Sequence, residues 1–432
     1  MAATAGARGA EGGLHRLRSI VGGSAGNLVE LYDWFAYASF ALYFAKAFFP
    51  HGDRTAQLLS TADVFGVGFF ARPVGAWVMG LYADRAGRKS AMVLSVSLMC
   101  VGSLVIGLCP GYAMIGVGAP TVLVLARILQ GFSLGGEYGV SATYLSEMAG
   151  RAHRGFWSGV LYSTFIAGQL LAIGTLLLLQ AALTPAQLDA WGWRIPFFIG
   201  GALALAVYWL RRSMRETSSF AAKGPERAST MLLFLKHPRA SLIVFGLTAG
   251  GTLSYYTFTT YIQQFLVDTS GFSKAAATQI TAGALLVFML IQPVFGALSD
   301  RIGRRPLLLA FGVFGVLCTW PILSTLAHTT STAAAFPLVM AGMAIVALYS
   351  SVNAIVKAEL FPTEVRALGV ALPYSFANAL FGGSAEYVAL WFKQVLHHDS
   401  WFYTYVTVIV GASLLVYAFM RDTKAHSRIL ET

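Results

Sequence analysis

The sequence predicts an all-α membrane protein of twelve transmembrane helices, arranged as two pseudo-symmetric six-helix bundles. Three observations carry that prediction. Of the 432 residues, 56% are hydrophobic and only 11% charged, against about 25% charged in a soluble domain. Apolar runs long enough to cross ~30 Å of hydrocarbon, about 20 residues each, occur at 20–49, 57–82, 90–109, 119–146, 155–180, 192–211, 240–267, 275–299, 306–326, 334–359, 367–391 and 401–420. Two loop motifs then repeat at half the chain length. "GLYADRAGRKS" begins at Gly80 after the second run and "GALSDRIGRRP" at Gly296 after the eighth, a spacing of 296 − 80 = 216 residues. Glu147 of "EMAGRAHRG" and Glu359 of "ELFPTEVRALG" stand 212 apart, as do Arg154 and Arg366.

The organisation follows in chain order as a cytoplasmic N-tail (1–19), a first bundle (20–211), a cytoplasmic linker (212–239), a second bundle (240–420) and a cytoplasmic C-tail (421–432). With the N-terminus inside, the two tails and the even-numbered loops, counting Arg211 with the linker, hold 22 of the 30 Lys and Arg residues. That is the positive-inside pattern. It also accounts for the net charge of +11, so nucleic acid is not an expected partner. The basic tail and first apolar run lack a small-residue cleavage site and read as a retained helix rather than a signal peptide. Three cysteines, all in predicted spans, form no expected disulfide or metal site. The eight histidines lie outside mid-span positions, which argues against an intramembrane enzyme, and no cofactor is expected.

Charges inside the spans are the informative exceptions, because each costs roughly 3 kcal/mol at the bilayer centre on insertion scales and so faces a cavity or a partner. In span one, Asn27, Glu30, Asp33 or Trp34, and Tyr37 recur at helical spacing and form one polar face. Span two carries Arg72 in "FFARPVGA", then the loop residues Gly80, Asp84 and Arg88. The two motif glycines permit close helix approach. Each motif's acid can meet a helix N-terminus or a loop Arg, and its basic residues can anchor at cytoplasmic headgroups. Span four carries Arg127, with Gly131 and Gly135 one and two turns on. Span five supplies Gln169, span seven the stripe Thr252, Tyr256, Thr259 and Gln263, and span eight leads to Gly296, Asp300 and Arg304. Span ten carries Ser350, Asn353 and Lys357; span eleven carries Asn378 and Glu386. Hydroxyls such as Thr252 and Ser350 also serve merely to bond helices together. Arg72, Arg127, Arg194 and Lys357 are the four cations within or at the edge of spans. Two or three cations in a cavity favour an anion with more than one carboxylate. Lys357 can instead snorkel to the nearby interface, and Arg72 can be structural.

Taken together, "GLYADRAGRK", the six-plus-six layout and "RILQGFSLG" resemble the major facilitator superfamily over the whole chain. Within it, "GNLVELYDW", "QGFSLGGEYG" and "LFPTEVRALG" resemble the metabolite:proton symporters. "WGWRIPF", "YTFTTYIQQFLV" and "FGGSAEYVAL" are similar to the branch that takes up 2-oxoglutarate, although Ala86 stands where that branch carries His. The resemblance implies import of this dicarboxylate with protons by alternating access across a bacterial inner membrane. Citrate, shikimate and betaine or proline are the alternative substrates. It also implies that spans one, four, seven and ten line the cavity, that Asp33 pairs with Arg127 to couple proton and substrate, and that the duplicated loops latch the outward-facing state. Glu30 remains open between a second proton site and half of a structural pair. In the same way Lys357 would bind one substrate carboxylate and Arg127 the other, with Glu386 neutralising Lys357 in the empty carrier.

Overall fold

The computed structural model describes residues 25–41, 43–50, 54–212, 216, 230–394 and 396–429. The N-tail (1–19) and most of the linker expected at 212–239 lie outside the described residues. Long helices follow the apolar runs in order. They are α1 (residues 25–41 and 43–48), α2 (Arg54–Ala86), α3 (Arg88–Leu108), α4 (Gly118–Met148), α5 (Arg154–Ala182) and α6 (Ile195–Arg212). The second half contributes α7 (Pro238–Tyr256), α8 (Lys274–Ile302), α9 (Arg305–Ala327), α10 (Thr332–Glu359), α11 (Arg366–Ala377) and α12 (Asp399–Phe419). Helix α7 runs on through a π-helical turn at Thr257–Tyr261 into Ile262–Asp268, and α11 through one at Asn378–Gly382, with Ala385–Gln394 beyond it. Among the described residues, eight helices are long and apolar enough to cross a membrane. Large apolar side chains such as Phe70, Leu108 and Phe419 are exposed on their surfaces, as a bilayer-facing chain requires.

Two compact units emerge, one containing residues up to Gly150 together with the stretch from Ala167 to the linker, the other containing Arg151–Ile166 and the chain from Ser229 onward. The first half of α5 therefore belongs with the second unit, whereas the sequence places its boundary in the linker. The local reason is backbone contact: a Cβ on Gly155 would overlap the Gly296 carbonyl, and one on Gly159 the Gln292 carbonyl. In the first unit α2 and α4 meet in the same manner, with a Cβ on Gly131 overlapping the Gly68 carbonyl and one on Gly135 overlapping that of Arg72. Small residues at this spacing allow close helix approach in lipid.

The duplicated loops turn alike. Gly87 and Gly303 have φ of 106° and 98°, a conformation that any other L-residue adopts at a cost of about 1–2 kcal/mol. Each glycine ends one helix and lets the next begin at once. At α3 the first amides of Arg88 and Lys89, which have no acceptor within the helix, donate to the two carboxylate oxygens of Glu216, at 3.1 and 3.2 Å. The macrodipole favours an acid there.

Candidate functional site

In the first unit, the close α2–α4 packing brings two buried guanidinium groups onto one indole ring. Arg72 lies 4.0 Å and Arg127 4.1 Å from the Trp34 ring centroid, and Arg127 also lies 4.3 Å from that of Tyr37. Desolvated cation–π contacts of this kind are worth about 2 kcal/mol each. They hold in place two like charges that would otherwise repel. Two guanidinium groups side by side have the chemistry to accept a carboxylate in bidentate geometry. Tyr37 is fixed by its own hydrogen bond from Oη to the Thr61 carbonyl at 3.1 Å.

Asp33 is fully buried on the same helix as Trp34. Where the resemblance implies a direct Asp33–Arg127 pair, the structure interposes two side chains. Arg127 Nη1 donates to Gln130 Oε1 at 2.8 Å, Gln130 Nε2 to Ser103 Oγ at 3.0 Å, and Ser103 Oγ to Asp33 Oδ2 at 2.5 Å. Asp33 Oδ1 accepts no hydrogen bond. Room for it exists because Gly200 on α6 has no side chain to overlap it. Cation and carboxylate are thus electrically close but joined by a relay whose middle members are neutral.

Glu30, a turn below, takes hydrogen bonds from Ser95 Oγ (2.9 Å) and Ser133 Oγ (3.0 Å), and its Oε2 accepts none. Of its two alternatives, the structural ion pair is not formed among the described residues. The nearby cation, Arg211, pairs with Glu137, which also accepts from Ser141. Removing one member of a buried pair costs roughly 3–5 kcal/mol, so Arg211 and Glu137 form a structural anchor. Gln169 is buried in the same unit, and its Oε1 accepts no hydrogen bond. Arg194 precedes α6, where it donates to the Cys109 carbonyl at 3.2 Å and stacks on Trp193.

In the second unit Lys357 is fully buried rather than snorkelling outward. Its Nζ donates to Asn353 Oδ1 and lies 4.0 Å from the Tyr374 ring centroid. Asn353 Nδ2 in turn donates to the Ser350 carbonyl at 3.3 Å, and Ser350 Oγ to Gln292 Oε1 at 2.9 Å. Span ten's polar stripe is therefore a connected network reaching α8. Tyr256 and Asn378 border the two π-helical turns, with Gly382 packed against the Tyr256 ring and Thr252. Such turns expose backbone groups and recur at functional sites. Glu386 does not join Lys357. It is exposed and stands 386 − 374 = 12 residues beyond Tyr374, roughly 18 Å along a helix.

Each duplicated loop builds the same triad of acid, arginine and distal glutamate. Arg88 pairs with Asp84 at 3.2 Å and Glu147 at 3.3 Å; Arg304 pairs with Asp300 at 2.8 Å and Glu359 at 3.9 Å. Arg88 and Arg304 were expected to anchor at headgroups, but both are buried. Buried acids within reach outcompete the interface. Gly80 is buried in α2, and Gly296 touches the Gly155 backbone. Asp300 also accepts from the amides of Gly155 and Phe156 at 2.8 and 2.9 Å, capping the N-terminus of α5. Because Asp84 stands 84 − 72 = 12 residues beyond Arg72 on α2, roughly 18 Å along the helix, Asp84→Ala is expected to lower turnover several-fold with little change in substrate affinity. Initial-rate kinetics check this, and a rise in KM at constant kcat contradicts it.

The model of the Major Facilitator Superfamily matches residues 24–386. The alpha-ketoglutarate permease of Escherichia coli K12 is 50% identical over 93% of this chain and 93% of its own length. The citrate-proton symporter of Klebsiella pneumoniae is 34% identical over 85% and 83%. The solved proton:xylose symporter XylE superposes with a TM-score of 0.81 at 17% identity, covering 96% of this chain and 98% of that one, which is a likeness of fold. The repeat, the paired triads and a match extending through both halves have one reading: this multi-pass membrane protein belongs to the Major Facilitator Superfamily.

Proposed function

We propose that the protein imports 2-oxoglutarate together with protons by alternating access, in a bacterial inner membrane with both termini cytoplasmic. The observation that carries the reading is the buried Arg72–Trp34–Arg127 cluster tied by Gln130 and Ser103 to Asp33. It supplies an anion receptor and a protonatable group within one hydrogen-bonded relay. The likeness to the Escherichia coli permease supports 2-oxoglutarate within the dicarboxylate class. Bringing a dianion into an inside-negative cell costs about 4.6 kcal/mol per 100 mV, so uphill uptake needs a coupled cation. Protonation of Asp33 would weaken its hold, through the relay, on Arg127, which then takes a substrate carboxylate.

In cells lacking their own carrier, uptake of radiolabelled 2-oxoglutarate should be blocked by unlabelled 2-oxoglutarate and not by equal concentrations of citrate, shikimate, betaine or proline. Stronger competition from any of those four overturns the substrate. Lys357 is the cation proposed for the second carboxylate. Lys357→Met is expected to lose most 2-oxoglutarate uptake while the protein still inserts, and Lys357→Arg to keep part of it. Normal uptake by Lys357→Met removes Lys357 from the site and makes Arg72 the next candidate.

A further inference from the structure

On the second unit, beside the Arg304–Glu359 pair, a cavity of about 460 Å³ is walled by the start of α7, the end of α10 and the chain after α12. Lys236, His237, Arg239, Arg421, His426 and Arg428 line it, against a single carboxylate, Glu359. That carboxylate is already engaged by Thr423 Oγ1 at 2.6 Å and Arg304 at 3.9 Å. The residues after α12 are held in place. Arg428 N donates to the Glu359 carbonyl at 3.1 Å, Arg366 Nη2 to the Arg428 carbonyl at 2.9 Å, and Arg305 N to Asp422 Oδ2 at 3.1 Å. These bonds bring Arg428 Nη1 within 3.4 Å of His237 Nδ1. Burial and the neighbouring Arg428 hold that imidazole below its ordinary value. The fold therefore gathers cations into a walled cavity instead of letting them spread.

A second feature adjoins it. Arg239, Ile243 and Met420 also border a groove of about 310 Å³ whose remaining walls are Leu242, Leu415, Val416 and Phe419. Leu242, Leu415 and Phe419 are 70%, 61% and 80% exposed, on the apolar surfaces of α7 and α12. A loop that merely obeyed the positive-inside rule would need neither a walled cavity nor an apolar channel leading from it. We propose that cavity and groove together bind one anionic phospholipid, with its headgroup phosphate among Arg239, Arg421 and Arg428 and an acyl chain along α7 and α12. Basic pockets at the cytoplasmic ends of transmembrane helices take anionic headgroups by the same chemistry. The groove is what separates a lipid from a soluble phosphate: a free anion uses the cavity alone.

Native mass spectrometry of the full chain in detergent, titrated with dioleoyl-phosphatidylglycerol or dioleoyl-phosphatidylethanolamine, tests the site. The wild type should retain one phosphatidylglycerol with at least tenfold higher apparent affinity than Arg239→Gln/Arg428→Gln, while both retain phosphatidylethanolamine equally. Equal phosphatidylglycerol retention by the two proteins overturns the proposal, as does displacement of the lipid by millimolar glycerol phosphate. Should the double variant not fold, the wild type in phosphatidylglycerol vesicles carrying an acyl-chain diazirine decides alone. Labelling of Leu415 to Phe419 supports the site, and labelling confined to other helices overturns it.

Discussion

Arg127→Lys is expected to reduce kcat/KM for 2-oxoglutarate by roughly a hundredfold or more, with the protein still folded and inserted. Three jobs fall to this guanidinium: it stacks on Trp34 and Tyr37, donates to Gln130, and under the proposed function meets a substrate carboxylate. A planar fork performs them together because its faces and edges are different surfaces. An ammonium offers one point charge and loses the stacking and part of the hydrogen bonding, each worth about 1.5–2 kcal/mol in a desolvated site. A combined loss of about 3 kcal/mol is roughly a hundredfold. Proteoliposome uptake kinetics check the value, and a change below threefold removes Arg127 from the substrate's path.

Asp33→Asn is expected to abolish accumulation against a gradient while leaving exchange of internal for external substrate. The amide oxygen still accepts from Ser103, so the relay to Gln130 and Arg127 keeps its geometry. Under the proposed function it lacks the proton exchange that couples one turn of the cycle to the pH gradient. Exchange of substrate for substrate returns the carrier loaded and needs no net proton movement. An Asp33→Asn protein that still concentrates substrate under a pH gradient would move coupling to Glu30, the other buried acid of α1 with an unbonded oxygen.

Much of the fold was legible because lipid imposes long apolar runs and the duplicated loops repeat at a fixed offset. Residues sharing one helix face were legible for a similar reason: Asn353 and Lys357, four apart, do touch. The connections between helices were not. Ser103 is one hydroxyl in an apolar run, and nothing in its neighbourhood in the sequence marks it as the partner of Asp33, 70 positions away. Gln130 follows Arg127 by three residues, a spacing that could have suggested their bond. Arg211 reads as one more basic residue at a loop edge, yet packing buries it against Glu137 on α4. Arg88 and Arg304 are misread alike, because counting charges places them at the membrane surface while Glu147 and Glu359, distant in sequence, draw them inward. The π-helical turns of α7 and α11 carry no periodicity signal, since TFTTY and NALFG mix polar and apolar residues as the flanking helix does.

Coupling of 2-oxoglutarate to protons is tested most directly by uptake of the labelled compound into proteoliposomes holding an imposed pH gradient, alkaline inside. One pH unit supplies about 1.4 kcal/mol per proton moved, or tenfold in accumulation for each. The account predicts that internal 2-oxoglutarate rises at least tenfold above external at one unit, and that a protonophore collapses it under clamped potential. Equilibration to equal concentrations with the gradient intact would contradict it.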